Sequence, residues 1–316
     1  MSRARWEAEG SDWPNRAASR FVDTARIRWH VQMMGAGPVL LLLHGTGAAT
    51  HSWRDLAPLL AENFTVVAPD LPGHGFTTGR PVGGLAMPAM ARAVGELLGT
   101  LGLAPDLVVG HSAGAAIGAR LVLDGGANPA RLVGLNPALM PFPGLAAALF
   151  PTLARMLFVN PFAPHLVAGL ARGPGDAKRY LERATGSTID ARGVDWYRRL
   201  FSTSDHAAGA ITMMANWDLD SLARDLPRVR VPTLLIHGSA DSAIALASVR
   251  QAAALLPDSR LEVLAGLGHL AHEERPADVA ALIRGFADAE QLFRLARHGD
   301  RRGADDPLRR LATRLD

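Results

Sequence analysis

The chain has 316 residues, of which 48% are hydrophobic and 20% charged, and it contains no cysteine. That is enough apolar material for a core, which excludes general disorder; the missing cysteines exclude a disulfide scaffold, a thiolate metal site and a thiol nucleophile. The formal net charge of +3 resides in the last stretch, where seven Arg face four Asp from Leu292 on, and with no basic stripe interleaved with aromatics, nucleic acid is not expected as a partner.

Residues 1–19 read as a loosely structured leader, and Met1–Gly10 mixes Arg and Glu without the apolar stretch of a secretory signal. Arg20–Asp23 and Ile27–Gln32 alternate apolar and polar residues, as a hairpin of edge strands does. Pro38–Leu43 is wholly apolar, the pattern of a strand buried on both faces. Helical spacing covers Trp53–Ala61, and a second buried strand follows at Phe64–Ala68. Leu85–Leu101 predicts a helix with Gly102 as its stop. Asp106–Val109 is a third buried strand; it runs into Gly110-His111-Ser112-Ala113-Gly114 and a helix to about Leu123, and Arg131–Leu135 is a fourth. Thr233–Ile236 and Leu261–Leu264 are strands separated by a helix over Ile244–Leu256, and a helix from Arg275 to about Leu295 closes the fold. Strands alternating with helices imply a parallel sheet covered on both faces.

Between about Pro137 and Asp225 the alternation stops. Leu132–Ala154 carries no charge and is long enough to span a bilayer, but Pro137, Pro141, Pro143 and Pro151 interrupt it, so a Pro-broken flap is expected rather than a spanning helix. Trp196, Trp217, Met213, Met214 and the Phe142–Phe162 stretch are expected to pack within this insertion or to line an apolar pocket. Phe142–Phe162 is also a candidate for peripheral contact with a membrane.

The strongest chemical signal is Gly110–Gly114. The spacing G-x-S-x-G between a strand and a helix is that of a nucleophile elbow, where a tight turn exposes the serine hydroxyl at a helix N-terminus. A serine is a poor nucleophile until a base, itself held by a third group, takes its proton. Asp241 follows the strand Leu234–Ile236, and His269 follows the last strand, so both lie at strand C-termini on the edge of the sheet that holds Ser112. Asp241 would orient His269, and His269 would deprotonate Ser112; the simpler reading of Asp241 is a helix N-cap. Asn136, at the end of the fourth strand, is not an acid and cannot replace it. His44-Gly45-Thr46-Gly47 follows a buried strand, and the N–H groups of Thr46 and Ala113 are the expected oxyanion-hole donors. His111 either lines the pocket or simply packs. His74, in Asp70–Gly75, reads as part of a structural turn. His269–Glu273 lacks the spacings of zinc proteases, so no metal is expected.

With these residues in hand, the chain resembles the α/β-hydrolase superfamily over roughly residues 20–290. HGTG, DLPGHG, GHSAG, the strand–acid element and GLGH arrive in the family's order. Trp13–Val22, His44–Arg54 and Met213–Leu219 are most similar to one branch, the α/β-hydrolase accessory proteins of bacteriochlorophyll biosynthesis associated with magnesium chelatase. The resemblance implies an α/β-hydrolase fold, a mostly parallel eight-stranded sheet with helices on both faces. It divides the chain into a leader (1–19), a core (20–136 and 227–296), a helical cap (137–226) and an Arg-rich tail (297–316). It implies a cytoplasmic or membrane-peripheral protein with a role around magnesium insertion into protoporphyrin IX, but no known substrate; the Ser112, Asp241 and His269 set is what predicts a serine hydrolase, with no cofactor expected. Its substrate would be an apolar small molecule, porphyrin-like or tetrapyrrole-linked, and magnesium chelatase subunits would be its partners. A non-catalytic accessory that binds porphyrin or docks on the chelatase is the alternative. Ser112 excludes the dehalogenase and epoxide hydrolase branches, which use Asp at that position. Ala245 stands where many relatives carry proline, four residues after the acid.

Overall fold

The computed structural model describes residues 2–141 and 174–287. In chain order its elements are α1 (Trp6–Glu9), β1 (Ser19–Asp23), β2 (Ile27–Met34), β3 (Val39–Leu43), α2 (Leu56–Ala61), β4 (Thr65–Pro69), β5 (Thr78–Gly79), α3 (Met87–Leu101), β6 (Leu107–His111), α4 (Ala113–Leu123) and β7 (Arg131–Leu135). After the inserted segment's α5 (Pro174–Thr185), α6 (Ala191–Phe201), α7 (Ser204–Ala215) and α8 (Leu219–Asp225) come β8 (Thr233–Gly238), α9 (Leu246–Leu255), β9 (Ser259–Leu264), α10 (Ala271–Glu274) and α11 (Pro276–Ala287). The sheet order is β1-β2-β4-β3-β6-β7-β8-β9, with the two-residue β5 added beside β2. From β4 to β9 every pairing is parallel, and β2 pairs antiparallel with both β1 and β4. Only β1 of the expected edge hairpin is therefore an edge; β2 is interior.

Period-two alternation in the buried strands divides the core into two layers. Leu41, Leu43, Val67, Val108 and Leu235 face one layer with α3 and α4, whereas Leu40, Leu42, Val66, Val109 and Ile236 face the other with α2 and α11. Each fully buried side chain of this kind contributes about 1.5–3 kcal/mol, which is why a run of four leucines is affordable only in a central strand. In α3, Met87, Met90, Val94, Leu97 and Leu101 fall on the buried face, and Gly102 ends the helix at φ 65°. The helix expected over Trp53–Ala61 is divided: Thr50–Trp53 forms a 3-10 turn and α2 starts only at Leu56.

Two expectations are corrected. Residues 2–19 are not a loose leader: Trp13 is buried, its Nε1–H donates to Thr50 Oγ1 at 3.0 Å, and Trp6 packs edge-on against Phe21 and Phe76. Nor do Trp196, Met213 and Trp217 pack within the insertion. Trp196 joins Ala4, Trp13, Ala49 and Phe76, while Met213 and Trp217 join the main core cluster. Trp196 and the amino-terminal arm bury each other's aromatic faces, whereas Met213 and Trp217 are covered by the main core cluster, which includes no residue of the arm. The Phe142–Phe162 stretch, the helix beyond Ala287 and the Arg-rich tail lie outside the described residues. Among the described residues no helix is long and apolar enough to cross a membrane.

Candidate active site

Ser112 sits between β6 and α4 at φ 52°, ψ −118°. A non-glycine residue in the left-handed half of backbone space costs about 1–3 kcal/mol and is retained where the surroundings over-determine it. Here they do. The Ser112 N–H donates to Leu135 O (2.9 Å), and its carbonyl receives N–H groups from Ala115 and Ala138 (both 3.1 Å). Gly114 is needed for close approach, since a Cβ there would collide with the carbonyls of Leu43 and His44. The strain thus comes from pressing the first turn of α4 against the end of β3.

Asp241 and His269 leave the adjacent strands β8 and β9 and meet above them: Asp241 Oδ2 lies 2.8 Å from His269 Nδ1. Burial pushes the Asp241 carboxyl upward, but the hydrogen bond and charge of His269, the Ile244 N–H and Asn136 Nδ2 outweigh it and hold the group below its ordinary value. A carboxylate can only accept, so the proton of this bond is on Nδ1 and His269 Nε2 is left as the basic nitrogen. The Oδ1 atom takes the N–H groups of Ala243 and Ile244 (2.7 and 2.9 Å). Asp241 therefore closes the loop that follows β8 and also binds His269; it is not a helix N-cap, because the N-cap of α9 is Ala245.

His111 connects the two halves. It directly precedes Ser112, its Nε2–H donates to the His269 carbonyl at 2.9 Å, and the two rings lie 4.7 Å apart. Burial, with the neighbouring His269, keeps it neutral. Gly45 abuts this pair, because a Cβ on it would meet His111 Nδ1 and Ser112 Cβ within 3.0 Å. Among the described hydrogen bonds none involves Ser112 Oγ, and such bonds commonly tighten only when substrate is bound.

The Thr46 and Ala113 N–H groups have no acceptor among the described backbone bonds, and the loop around Thr46 shows why. Gly45 to Ala48 is a turn closed by Ala48 N–H to Gly45 O (3.2 Å), with Gly47 at φ 76°. Left-handed glycine at the third position is what a type II turn requires. The Gly45 carbonyl also accepts Nδ1–H of His44 at 2.8 Å, while His44 Nε2 accepts the Leu71 N–H at 2.8 Å. Both bonds need a neutral ring, and burial lowers the His44 pKa accordingly. Because a peptide unit is planar, anchoring the Gly45 carbonyl directs the Thr46 N–H the opposite way.

A network that the sequence did not signal lies behind His111. The His272 ring is 4.5 Å from that of His111, and its Nε2 is 2.8 Å from Ser52 Oγ. Ser52 donates to Glu273 Oε1 (2.7 Å), as does Tyr197 OH (2.7 Å), and Arg54 bonds to Glu273 Oε2 and to Asp190 (2.9 Å). Since the Ser52 proton faces Glu273, His272 must donate to Ser52. This Ser-His-Glu group thus has the wrong polarity for a second nucleophile. In the sequence its members lie in two stretches, Ser52-Trp53-Arg54 after HGTG and His272-Glu273 after GLGH, and nothing in either signals that they meet.

The family profile described as "alpha/beta hydrolase fold" matches residues 38–276. The chain belongs to the α/β-hydrolase family. This α/β hydrolase is 39% identical over 276 residues to the magnesium-chelatase 30 kDa subunit of Rhodobacter capsulatus, covering 86% of this chain and 95% of that one. It is 30% identical to a fluoroacetate dehalogenase of Burkholderia sp, covering 84% and 92% of the two chains. Among solved structures, the epoxide hydrolase CorEH superposes on this α/β hydrolase with a TM-score of 0.72 at 25% identity, covering 85% of this chain and 97% of that one.

Proposed function

We propose that this α/β hydrolase is a serine hydrolase in which Ser112 is the nucleophile, His269 the base and Asp241 the orienting acid. The observation that carries the reading is the 2.8 Å contact of Asp241 Oδ2 with His269 Nδ1. It fixes the tautomer that leaves Nε2 free, at the rim of the sheet where the strained turn presents Ser112. As Ser112 Oγ bonds to a substrate carbonyl carbon, His269 Nε2 takes the hydroxyl proton and the carbonyl oxygen becomes anionic. The Thr46 and Ala113 N–H groups and the N-terminus of α4 meet that charge. Collapse breaks the bond to the leaving alcohol or thiol, which takes the proton back from His269, and water then releases the acyl group by the same steps. His111, His44, Gly45 and Gly47 position these groups.

The triad does not set the substrate class. Likeness to a protein named magnesium-chelatase 30 kDa subunit supports a place beside chelatase subunits; on the branch resemblance of the sequence we place the protein in bacteriochlorophyll biosynthesis, cytoplasmic or membrane-peripheral, acting on an apolar, tetrapyrrole-linked ester or thioester. The same likeness favours a second reading, a non-catalytic accessory that binds porphyrin or docks on the chelatase. A fluorophosphonate probe separates them: the hydrolase labels in the wild type and not in Ser112→Ala. An unlabelled wild type, with saturable absorbance change on titration with protoporphyrin IX, gives the accessory reading instead.

A further inference from the structure

The turn that presents the Thr46 N–H is held from the core side by His44, but its other side is held from the inserted helices. His206, on α7, is buried at 2% exposure and uses both ring nitrogens on core loops. Its Nε2–H donates to the Gly47 carbonyl (3.1 Å), and its Nδ1 accepts the Gly75 N–H (3.1 Å). A carbonyl only accepts and an N–H only donates, so the pair of bonds requires one neutral tautomer. Around it, Gly209 one helical turn on lies so close to the Gly73 carbonyl that no Cβ fits between them. The Phe201 ring covers Gly47 and stands 5.2 Å from the His206 ring, and Thr46 Oγ1 reaches Met213 Sδ at 3.4 Å.

We propose that His206 is a positioning residue for the oxyanion turn, a clamp through which the seating of α7 on the loops after β3 and β4 sets the direction of the Thr46 N–H. The proposal rests on the hydrolase reading. Gly45–Ala48 has two carbonyl anchors: His44 holds Gly45 O, on the peptide that carries the Thr46 donor, and His206 holds Gly47 O, on the peptide whose Ala48 N–H closes the turn. With the second anchor lost, the turn keeps its own Ala48-to-Gly45 bond but can pivot about it. The donor is then misdirected in the transition state while substrate contacts elsewhere persist.

The test compares His206→Asn, whose side chain is too short to bridge both loops, with His206→Gln, whose amide can donate to Gly47 and accept from Gly75. Removing an oxyanion donor outright typically costs about 100- to 1,000-fold in kcat, so misdirection is expected to cost about tenfold. In His206→Asn, kcat on a p-nitrophenyl acyl ester falls by that factor with KM nearly unchanged. The fluorophosphonate labelling rate falls in parallel, and His206→Gln regains most of both. Amide hydrogen exchange over residues 44–50 accelerates in His206→Asn alone. Wild-type labelling rate in a His206→Asn protein of lowered Tm makes the residue merely structural and overturns the proposal. An equal loss in His206→Gln overturns it as well. No labelling of the wild type ends the hydrolase reading and this one with it, whereas labelling that is indifferent to His206 ends only this one.

Discussion

Asn136 Nδ2 donates to Oδ2 of Asp241 at 2.8 Å, the same oxygen that receives the His269 proton. With the N–H groups of Ala243 and Ile244 on Oδ1, the carboxylate accepts four hydrogen bonds. All four favour its charged form, which fixes both its ionisation and its orientation. In Asp241→Asn an amide replaces an oxygen that faces two donors, so a clash of like groups or a flipped His269 tautomer follows. Loss of the orienting acid in such triads lowers kcat about ten-thousand-fold without changing the fold. Labelling rate and kcat are expected to fall on that scale with an unchanged circular dichroism spectrum. A variant within tenfold of wild type would remove Asp241 from the machinery.

Arg54 and Glu273 form a buried ion pair, with side chains 6% and 0% exposed. Burial raises the Glu273 pKa, opposed by Arg54, Tyr197 and Ser52. Truncating one partner leaves the other charge unpaired in the interior and typically costs about 3–5 kcal/mol. Arg54→Met alone is therefore expected to lose that much in urea denaturation. Arg54→Met with Glu273→Gln is expected to recover at least half, because the neutral amide can still accept from Ser52 and Tyr197. Strict additivity of the two single changes would show that the pair is not coupled.

The parts of this architecture that local sterics or periodicity dictate were legible in the sequence. A strand of leucines with no polar face predicts burial on both sides, and Gly114 marks a helix pressed against a strand end. Asp241 and His269 stand out because each follows a strand, and the loops after β8 and β9 do bring them within 2.8 Å of each other. What escaped depends on pairings across long separations. His206 meets partners 131 and 159 residues away, and the helix around it carries no motif. Asn136, set aside as a non-acid, matters as a donor, a role invisible until Asp241 is placed beside it. The amino-terminal arm looked loose because its two tryptophans stand among charged residues, and their apolar partners come from other elements.

Acid sensitivity follows from the buried histidines. Burial lowers the His206 pKa from 6.5 to about 4, opposed by its bond to the Gly47 carbonyl. The groups facing it are His44, His74, Asp70 and Asp205; His44 and His74 are themselves lowered by burial. Between those two pH values the unfolded chain binds a proton that the folded chain refuses, so stability is present above pH 6.5 and drains as pH falls toward 4. At about 1.4 kcal/mol per unit, His206 alone accounts for about 3 kcal/mol over the window. The urea midpoint is expected to drop from pH 6.5 to 4, and to drop less in His206→Gln, which cannot titrate there. Parallel curves for the two proteins would assign the sensitivity to other groups.

Trp13 ties the amino-terminal arm to the loop that follows the oxyanion turn. Its Nε1–H bonds to Thr50 Oγ1, its ring packs edge-on to Phe76 at 4.8 Å and to His51 at 5.4 Å, and the Thr50 N–H in turn bonds to the buried Asp70 at 2.7 Å. Deleting a buried tryptophan side chain costs about 3–5 kcal/mol, since the cavity adds to the lost transfer energy. Trp13→Ala is therefore expected to lower stability by that amount and to expose residues 2–18 to limited proteolysis, while Trp13→Phe, which keeps the ring contacts and loses only the hydrogen bond, gives up about 1 kcal/mol. A freely moving arm predicts a different result: a change within about 0.5 kcal/mol for either variant, as for surface positions, and proteolysis of residues 2–18 already in the wild type.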